Sequence, residues 1–240
     1  MKGYISEIFK SFQGEGIYCG VKQIFIRFAI CNLMCKWCDT KYSSRKSKFC
    51  FIYIDGKKIK EKNPISTEKI IKFISLYKNN IHSVSLTGGE PLLQHEFLKN
   101  LTFLLKKKKM KIYLETAGIN WKELNQVIYN IDYIAMDMKL PSSTGMRAFW
   151  DEHEKFLEIA NRKNVFVKVV VTNTTKKEEI IKCARIINLI NKSIPLVIQP
   201  VFHNFYSPNI QKLNEFKKIC EKFLEKVYIV PQVHKILKIK

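Results

Sequence analysis

From Ile81 onward, short β-branched and apolar runs alternate with longer stretches whose apolar residues recur every three or four positions. That rhythm is the mark of strand–helix units wound around a parallel sheet. The runs predict strands over 23–28, 81–87, 111–115, 133–137, 165–172, 195–200 and 226–230. The helical periodicity predicts helices over 67–77, 95–107, 121–129, 147–161, 176–188 and 210–224. Thr67, ahead of Glu68 and the stripe Ile70, Ile71, Phe73 and Ile74, reads as the N-cap of a helix with one core-facing side.

Segment 43–64 breaks the rhythm. It is polar and lysine-rich apart from Phe49-Cys-Phe-Ile-Tyr-Ile54, which is followed by Asp55-Gly56, a strong two-residue hairpin signal. It reads as an inserted β-hairpin that covers the neighbouring loop or mediates dimerisation. With no repeat of fixed period and no low-complexity linker, residues 1–240 are expected to form one domain. The strand ends of such a sheet collect on one edge, where parallel α/β proteins place their active sites.

At 240 residues and 46% hydrophobic content the chain has material for a substantial core. No apolar run reaches the roughly 18 residues needed to span a bilayer, and no targeting segment is recognisable, so a cytoplasmic location without membrane association is expected. The net charge of +21 invites a nucleic-acid reading. Yet of the 42 basic residues only Arg27, Arg45, Arg147, Arg162 and Arg185 are arginines, and the lysines are scattered over nearly every element. Arginine is the usual reader of base edges, so no specific nucleic-acid partner is expected.

Cys31, Cys35 and Cys38 stand in the loop after the apolar run 23–28, spaced Cys-x3-Cys-x2-Cys. Three thiolates at this spacing can hold three irons of a 4Fe-4S cube, leaving the fourth iron open to a small molecule. Zinc is the alternative, but no second Cys or His pair follows at zinc-site spacing. Cys19, Cys50, Cys183 and Cys220 read as ordinary thiols.

The other strand ends carry Thr87-Gly-Gly-Glu-Pro91, Glu115-Thr-Ala-Gly118, Asp137-Met-Lys139 and Gln199-Pro200. At Gly88 and Gly89 the backbone can approach a ligand closely, and Glu90 adds a carboxylate for an ammonium group. Together with the cysteine triplet this Gly-Gly-Glu-Pro segment resembles the radical S-adenosylmethionine superfamily, whose open iron chelates S-adenosylmethionine. The implied fold is an α/β, incomplete, open (β/α)6-type radical-SAM partial barrel with a small β-hairpin insertion after the cluster loop.

A narrower resemblance rests on Ser11-Phe-Gln-Gly-Glu-Gly16, Phe25-Ile-Arg27, Cys38-Asp-Thr40, Lys139 and the closing Gln232-Val-His234-Lys235. These segments resemble the 7-carboxy-7-deazaguanine synthase family, which contracts the ring of 6-carboxy-5,6,7,8-tetrahydropterin toward queuosine and related deazapurines. The resemblance implies substrate contacts from Phe12, Gln13, Gly14, Arg27, Thr87 and Lys240. For S-adenosylmethionine it implies Trp37, Cys38, Asp39, Gly88, Gly89, Glu90, Glu115, Asp137, Met138, Lys139 and Gln199, and for Mg2+ it implies Thr40. It also implies a homodimer and an external electron donor of flavodoxin or ferredoxin type. A glycyl-radical-enzyme activase is the alternative enzyme, and a basic metal-binding nucleic-acid module the alternative class.

Overall fold

The structure is a computed structural model that describes residues 1–77, 80–203 and 205–239. In chain order its elements are β1 (Lys2–Gly3), β2 (Ile5–Phe12), β3 (Lys22–Phe28), β4 (Phe49–Ile54), β5 (Lys57–Lys62), β6 (Ile65–Ser66), α1 (Thr67–Ile74), β7 (Ser83–Gly88), α2 (His95–Lys107) and β8 (Ile112–Thr116). There follow α3 (Trp121–Val127), β9 (Tyr133–Asp137), α4 (Pro141–Thr144), α5 (Trp150–Ala160), β10 (Asn164–Val171), α6 (Lys177–Asn191), β11 (Leu196–Pro200), α7 (Ile210–Glu221), β12 (Val227–Ile229) and α8 (Val233–Ile236).

One sheet runs β12-β11-β10-β9-β8-β7-β3-β2-β4-β5, and β1 pairs β6 apart from it. From β3 to β12 every neighbouring pair is parallel. The ends of the sheet do not meet, so the curved sheet is an open α/β partial barrel. Its two faces bury different side chains because strand residues alternate. Ile24, Ile26, Phe28, Leu86, Leu114, Val167 and Ile198 pack under the helices in the large core. Tyr113, Ala135, Phe166 and Val197 form a smaller cluster on the inner face, joined by Tyr18 and Tyr133. Among the described residues no helix is long and apolar enough to cross a membrane.

The strands that extend the parallel sheet beyond β3 hold the main surprises. β2 is not apparent from periodicity, because Glu7 and Lys10 interrupt its apolar run, yet it pairs antiparallel with β3 and sets Glu7 opposite Arg27 and Phe9 opposite Phe25. The hairpin β4–β5 forms around Asp55 and Gly56, whose φ values of 49° and 76° fit a tight turn matched to strand twist. It joins β2 and lengthens the sheet. Cys50, Ile52 and Ile54 point into the core, while Lys58 and Lys60 lie over the rings of Phe51 and Phe49 at 4.3 and 3.8 Å. The outermost strand, β5, carries Lys57, Lys58, Lys60 and Lys62, charges that discourage edge pairing.

One helix cap and one helix start differ from the expected ones. Ser66 rather than Thr67 caps α1, accepting from Lys69 N–H at 3.3 Å. α5 begins at Trp150 rather than at 147, with Phe149 at its N-cap and Arg147 over the Phe149 ring at 4.1 Å.

Candidate active site

The strand ends enclose a cavity of about 450 Å3 on the inner face of the sheet. Its polar lining follows from strand alternation: within apolar strands, every second residue turns inward. On this rule β3 contributes Phe25 and Arg27, β8 contributes Tyr113 and Glu115, β9 contributes Ala135 and Asp137, and β10 contributes Phe166 and Lys168. Every site residue named from the sequence lines this cavity except two. Lys240 lies outside the described residues. Glu90 stands behind the lining rather than on it. It is 1% exposed and accepts from Thr116 Oγ1, Ala117 N–H and Leu92 N–H at 2.8, 2.9 and 3.2 Å. Burial pushes its carboxyl up despite these donors, so Glu90 braces the β8–α3 turn behind the cavity.

The cysteine loop is held by its backbone. Ile30 sits at a φ of 80°, costly for a β-branched residue. It is fixed by donating to Ser43 O and accepting from Glu90 N–H, both at 2.8 Å. Cys31 N–H donates to Ser44 O at 3.1 Å, and Lys36 N–H to Thr144 O at 3.0 Å. All three cysteines are free, half-buried and on the cavity wall. Burial pushes the Cys31 thiol up to about 11 and raises that of Cys35 as well. Coordination to a metal would remove this cost by supplying positive charge.

Gly88 and Gly89 press against the same loop. Gly88 has a φ of +96°, and a Cβ there would lie 2.2 Å from Arg27 Cγ. A Cβ on Gly89 would lie 2.1 Å from the Ile30 carbonyl oxygen, a backbone atom that cannot swing aside. Trp37 packs against Tyr206 and His203, with ring centroids 4.7 and 5.4 Å away. Thr40 Oγ1 is 3.8 Å from Cys38 Sγ.

Across the cavity a hydrogen-bond network gathers residues from distant strands. Glu115 accepts from Gln13 Nε2 and Thr87 Oγ1 at 2.8 Å each, and from Ser85 Oγ at 2.9 Å. Glu115, which the resemblance groups with the cofactor, is joined by these contacts to Gln13 and Thr87. Gln13 also reaches Gln23 Oε1 at 3.0 Å. Arg27 Nε donates to Glu7 Oε1 at 2.9 Å, and Tyr42 Oη donates to the same oxygen at 2.8 Å. The guanidinium stands 5.6 Å from the Phe9 ring, which stacks on Phe25. Phe12 lies at the rim, 45% exposed.

The third wall is an ion-pair network. Lys168 pairs with Glu15 and stands 3.5 Å from Asp137, which Lys139 meets at 2.8 Å. Burial opposes charge on Asp137 and Glu15, but the neighbouring lysines outweigh it and hold both carboxyls below their usual range. The C-terminal segment closes over this wall. Val233 N–H donates to Gly14 O at 3.0 Å, and Gln232 Nε2 to Glu15 Oε1 at 2.9 Å. His234 and Lys235 each stand 3.6 Å from Asp39 Oδ2. Glu15, Asp39 and His234 bring ligand atoms within 4.8 Å of one another, but Lys168 and Lys235 already balance the two carboxylates there.

The donor set fits a 4Fe-4S cluster with S-adenosylmethionine. Three free thiols face a cavity, and the side-chain polar atoms of Gln199, Ser143 Oγ and Asp137 Oδ1 are buried on its wall with no partner among the described residues. Native proteins rarely leave such groups unpaired unless a ligand or water meets them. Sequence reasoning left out Glu7, Tyr42, His153 and Lys168. Lys168 carries the signal that singled out Arg27, a lone cation in the apolar run Val165-Phe-Val-Lys-Val-Val-Val171.

Comparison with known proteins places this geometry. The Radical SAM superfamily matches residues 25–189. A 7-carboxy-7-deazaguanine synthase of Geobacter sulfurreducens is 36% identical, with 97% of this chain and 96% of the relative covered. One of Archaeoglobus fulgidus is 33% identical, with 99% of each covered. The crystal structure of QueE from Escherichia coli shares the fold at a TM-score of 0.66, with 22% identity and coverage of 95% and 94%. With the cysteine loop, the Gly-Gly turn and the polar strand ends converging on one cavity, and with full-length similarity to these relatives, the chain belongs to the 7-carboxy-7-deazaguanine synthase family of the Radical SAM superfamily.

Proposed function

We propose that this protein contracts 6-carboxy-5,6,7,8-tetrahydropterin to 7-carboxy-7-deazaguanine with loss of ammonia, on the route to queuosine and related 7-deazapurines. The observation that carries the reading is one cavity with two unlike walls. Three free cysteines and a Gly-Gly turn form the first, and the Gln13, Arg27, Thr87 and Glu115 network forms the second. The full-length relatives named as synthases support it over an activase or a nucleic-acid module.

Cys31, Cys35 and Cys38 would hold the 4Fe-4S cluster, and Gly88, Gly89, Trp37, Met138, Lys139 and Gln199 would hold S-adenosylmethionine. Together, when reduced, these groups supply hydrogen-atom abstraction that no side chain can perform. The chain orients the pterin and excludes water. Arg27 offers a guanidinium for the substrate carboxylate. Gln13 and Glu115 offer an amide and a carboxylate for the hydrogen-bonding edge of the ring. Phe9 and Phe25 give it an apolar stacking surface. Thr40, at the foot of the cysteine loop, would give Mg2+ a hard oxygen ligand. The active form is proposed to be a homodimer, testable by light scattering.

The deciding experiment is anaerobic turnover of the carboxy-tetrahydropterin with S-adenosylmethionine and dithionite, with and without Mg2+. The expected result is a new deazaguanine chromophore that depends on Mg2+. Cys35→Ala should abolish both iron loading and turnover, and full activity in that variant would end the proposal. A Mg2+-independent rate unchanged in Thr40→Val would remove the metal assignment alone.

A further inference from the structure

Glu7 interrupts the apolar run of β2, and at 5% exposure its carboxylate is buried on the cavity wall, opposite Arg27 of β3. A buried ion pair is seldom worth more to stability than the apolar pair that could replace it, so stability alone does not account for this one. Its geometry does. Arg27 Nε donates to Glu7 Oε1 at 2.9 Å, which leaves the two Nη groups, the paired donors that match the oxygens of a carboxylate. The stem of Arg27 is confined by the Gly-Gly turn, since a Cβ on Gly88 would lie 2.2 Å from Arg27 Cγ. With the stem confined, the Glu7 bond sets the rotation of the fork. Tyr42 Oη donates to the same Oε1 at 2.8 Å. The Tyr42 side chain is 61% exposed, but its backbone is held: Ser43 N–H and Oγ both donate to Thr40 O, at 2.8 and 2.7 Å, and Ser43 O accepts from Ile30 N–H. The turn after the cysteine loop thus places the phenol against Glu7. Burial raises that phenol far above its usual range, against the pull of Arg27, so the hydroxyl keeps its proton and stays a donor. Glu7 divides its charge between two donors, and the guanidinium keeps attraction for a second anion.

We propose that Glu7 and Tyr42 are positioning residues that aim the Arg27 fork at the 6-carboxylate of the pterin and set the preference for that carboxylate over a neutral group, a role that rests on the substrate reading given above. Both act through Arg27. Reach matters more than charge in such a role. Glu7→Asp keeps the charge but draws the carboxylate back by one methylene, whereas Glu7→Gln keeps the reach and an acceptor oxygen. Tyr42→Phe removes only the second donor on Glu7 and leaves the ring in place.

The test uses the cluster-loaded full chain and two oxidised, unreactive pterins, 6-carboxypterin and 6-hydroxymethylpterin, titrated by pterin fluorescence. The parent should bind the carboxylate tighter by about tenfold or more, the worth of one charge-assisted hydrogen bond. Glu7→Asp should lose most of that preference, Tyr42→Phe about threefold of it, and Glu7→Gln should keep more of it than Glu7→Asp. Affinity for 6-hydroxymethylpterin should stay within about twofold of the parent in all three, because no lost contact reaches a neutral group. A merely structural role would weaken both pterins alike and overturn the proposal. In turnover, Glu7→Asp should raise KM for the carboxy-tetrahydropterin with kcat within about threefold, the pattern of binding lost equally from ground and transition states. Because Tyr42 is exposed, Tyr42→Phe keeps its fold and carries the test even where Glu7→Asp is destabilised. A preference unchanged in Glu7→Asp and Tyr42→Phe, or Glu7→Gln as impaired as Glu7→Asp, would overturn the positioning role. A parent that binds both pterins equally would remove the carboxylate assignment of Arg27, and this proposal with it. The titrations need no turnover, so a discriminating parent that fails to contract the ring would count against the proposed reaction and leave the positioning role standing.

Discussion

The backbone N–H of Lys139 donates to Nε2 of His153 at 3.0 Å, so this buried ring on α5 holds the turn that follows β9. Its other nitrogen, Nδ1, lies 2.9 Å from the Gly118 carbonyl and must carry the proton. One neutral imidazole thus joins two turns that line the cofactor side of the cavity.

Burial pushes His153 down to about 4. The unfolded chain therefore binds the proton first as pH falls, and stability is lost between about pH 6.5 and pH 4, by about 3 kcal/mol in total. Above pH 6.5 the contribution is complete. His153→Gln should flatten this part of the stability profile, as measured by urea unfolding at about pH 7 and pH 4.5. At pH 7 it should also weaken S-adenosylmethionine binding more than pterin binding. An unchanged pH slope would show that the ring is not the group responsible.

Lys168 sits between Glu15 and Asp137, all three half-buried or deeper. Lys168→Met leaves two carboxylates with less compensation, and removing one partner of such a pair costs about 3–5 kcal/mol. Chemical denaturation should show a loss of that order at pH 7. Adding Glu15→Gln to Lys168→Met should restore part of it, because the second change removes one of the stranded charges. Additive losses in the double variant would mean that the two groups are not coupled.

Much of this architecture is written in local pattern. The seven parallel strands are legible because each is a short β-branched run, and the cysteine loop because three thiols at that spacing have few uses. Arg27 stands out as a guanidinium in an apolar strand. Lys168 sends the same signal and is masked by the abundance of lysine, in a chain where most basic residues are lysines at the surface. β2 escapes because Glu7 looks like a solvent residue until Arg27 is known to face it. The Glu15–Gln232 bond spans 217 positions and follows from the return of the C-terminal segment to the cavity mouth, which no local pattern encodes. At Glu90 a motif marks the residue, but only packing reveals that its carboxylate accepts from Thr116 and Ala117 on the neighbouring turn.

Gly14 supports that closing segment. A Cβ there would lie 2.5 Å from His234 Cβ and 2.8 Å from its backbone nitrogen, and Gly14 O accepts from Val233 N–H. Gly14→Ala should therefore lift residues 232–236 from the mouth. Limited proteolysis should then cut the C-terminal segment faster in the variant, and kcat should fall by about tenfold or more as water enters the site. Equal proteolysis rates would show that the tail absorbs the methyl group without moving.

Gln199 trades stability for ligand affinity. It is fully buried on β11, and neither its amide nitrogen nor its oxygen has a partner among the described residues. A buried amide without hydrogen bonds costs about 1–3 kcal/mol, and Leu has a similar volume without that penalty. Gln199→Leu should raise the stability of the ligand-free protein by about 1 kcal/mol in urea unfolding. The same change should weaken S-adenosylmethionine binding to the cluster-loaded protein by about tenfold, one hydrogen bond's worth at 1.4 kcal/mol per decade. The two measurements must move in opposite directions. A loss of stability with unchanged affinity would mean that the amide finds its partners in water or in the fold rather than in the ligand.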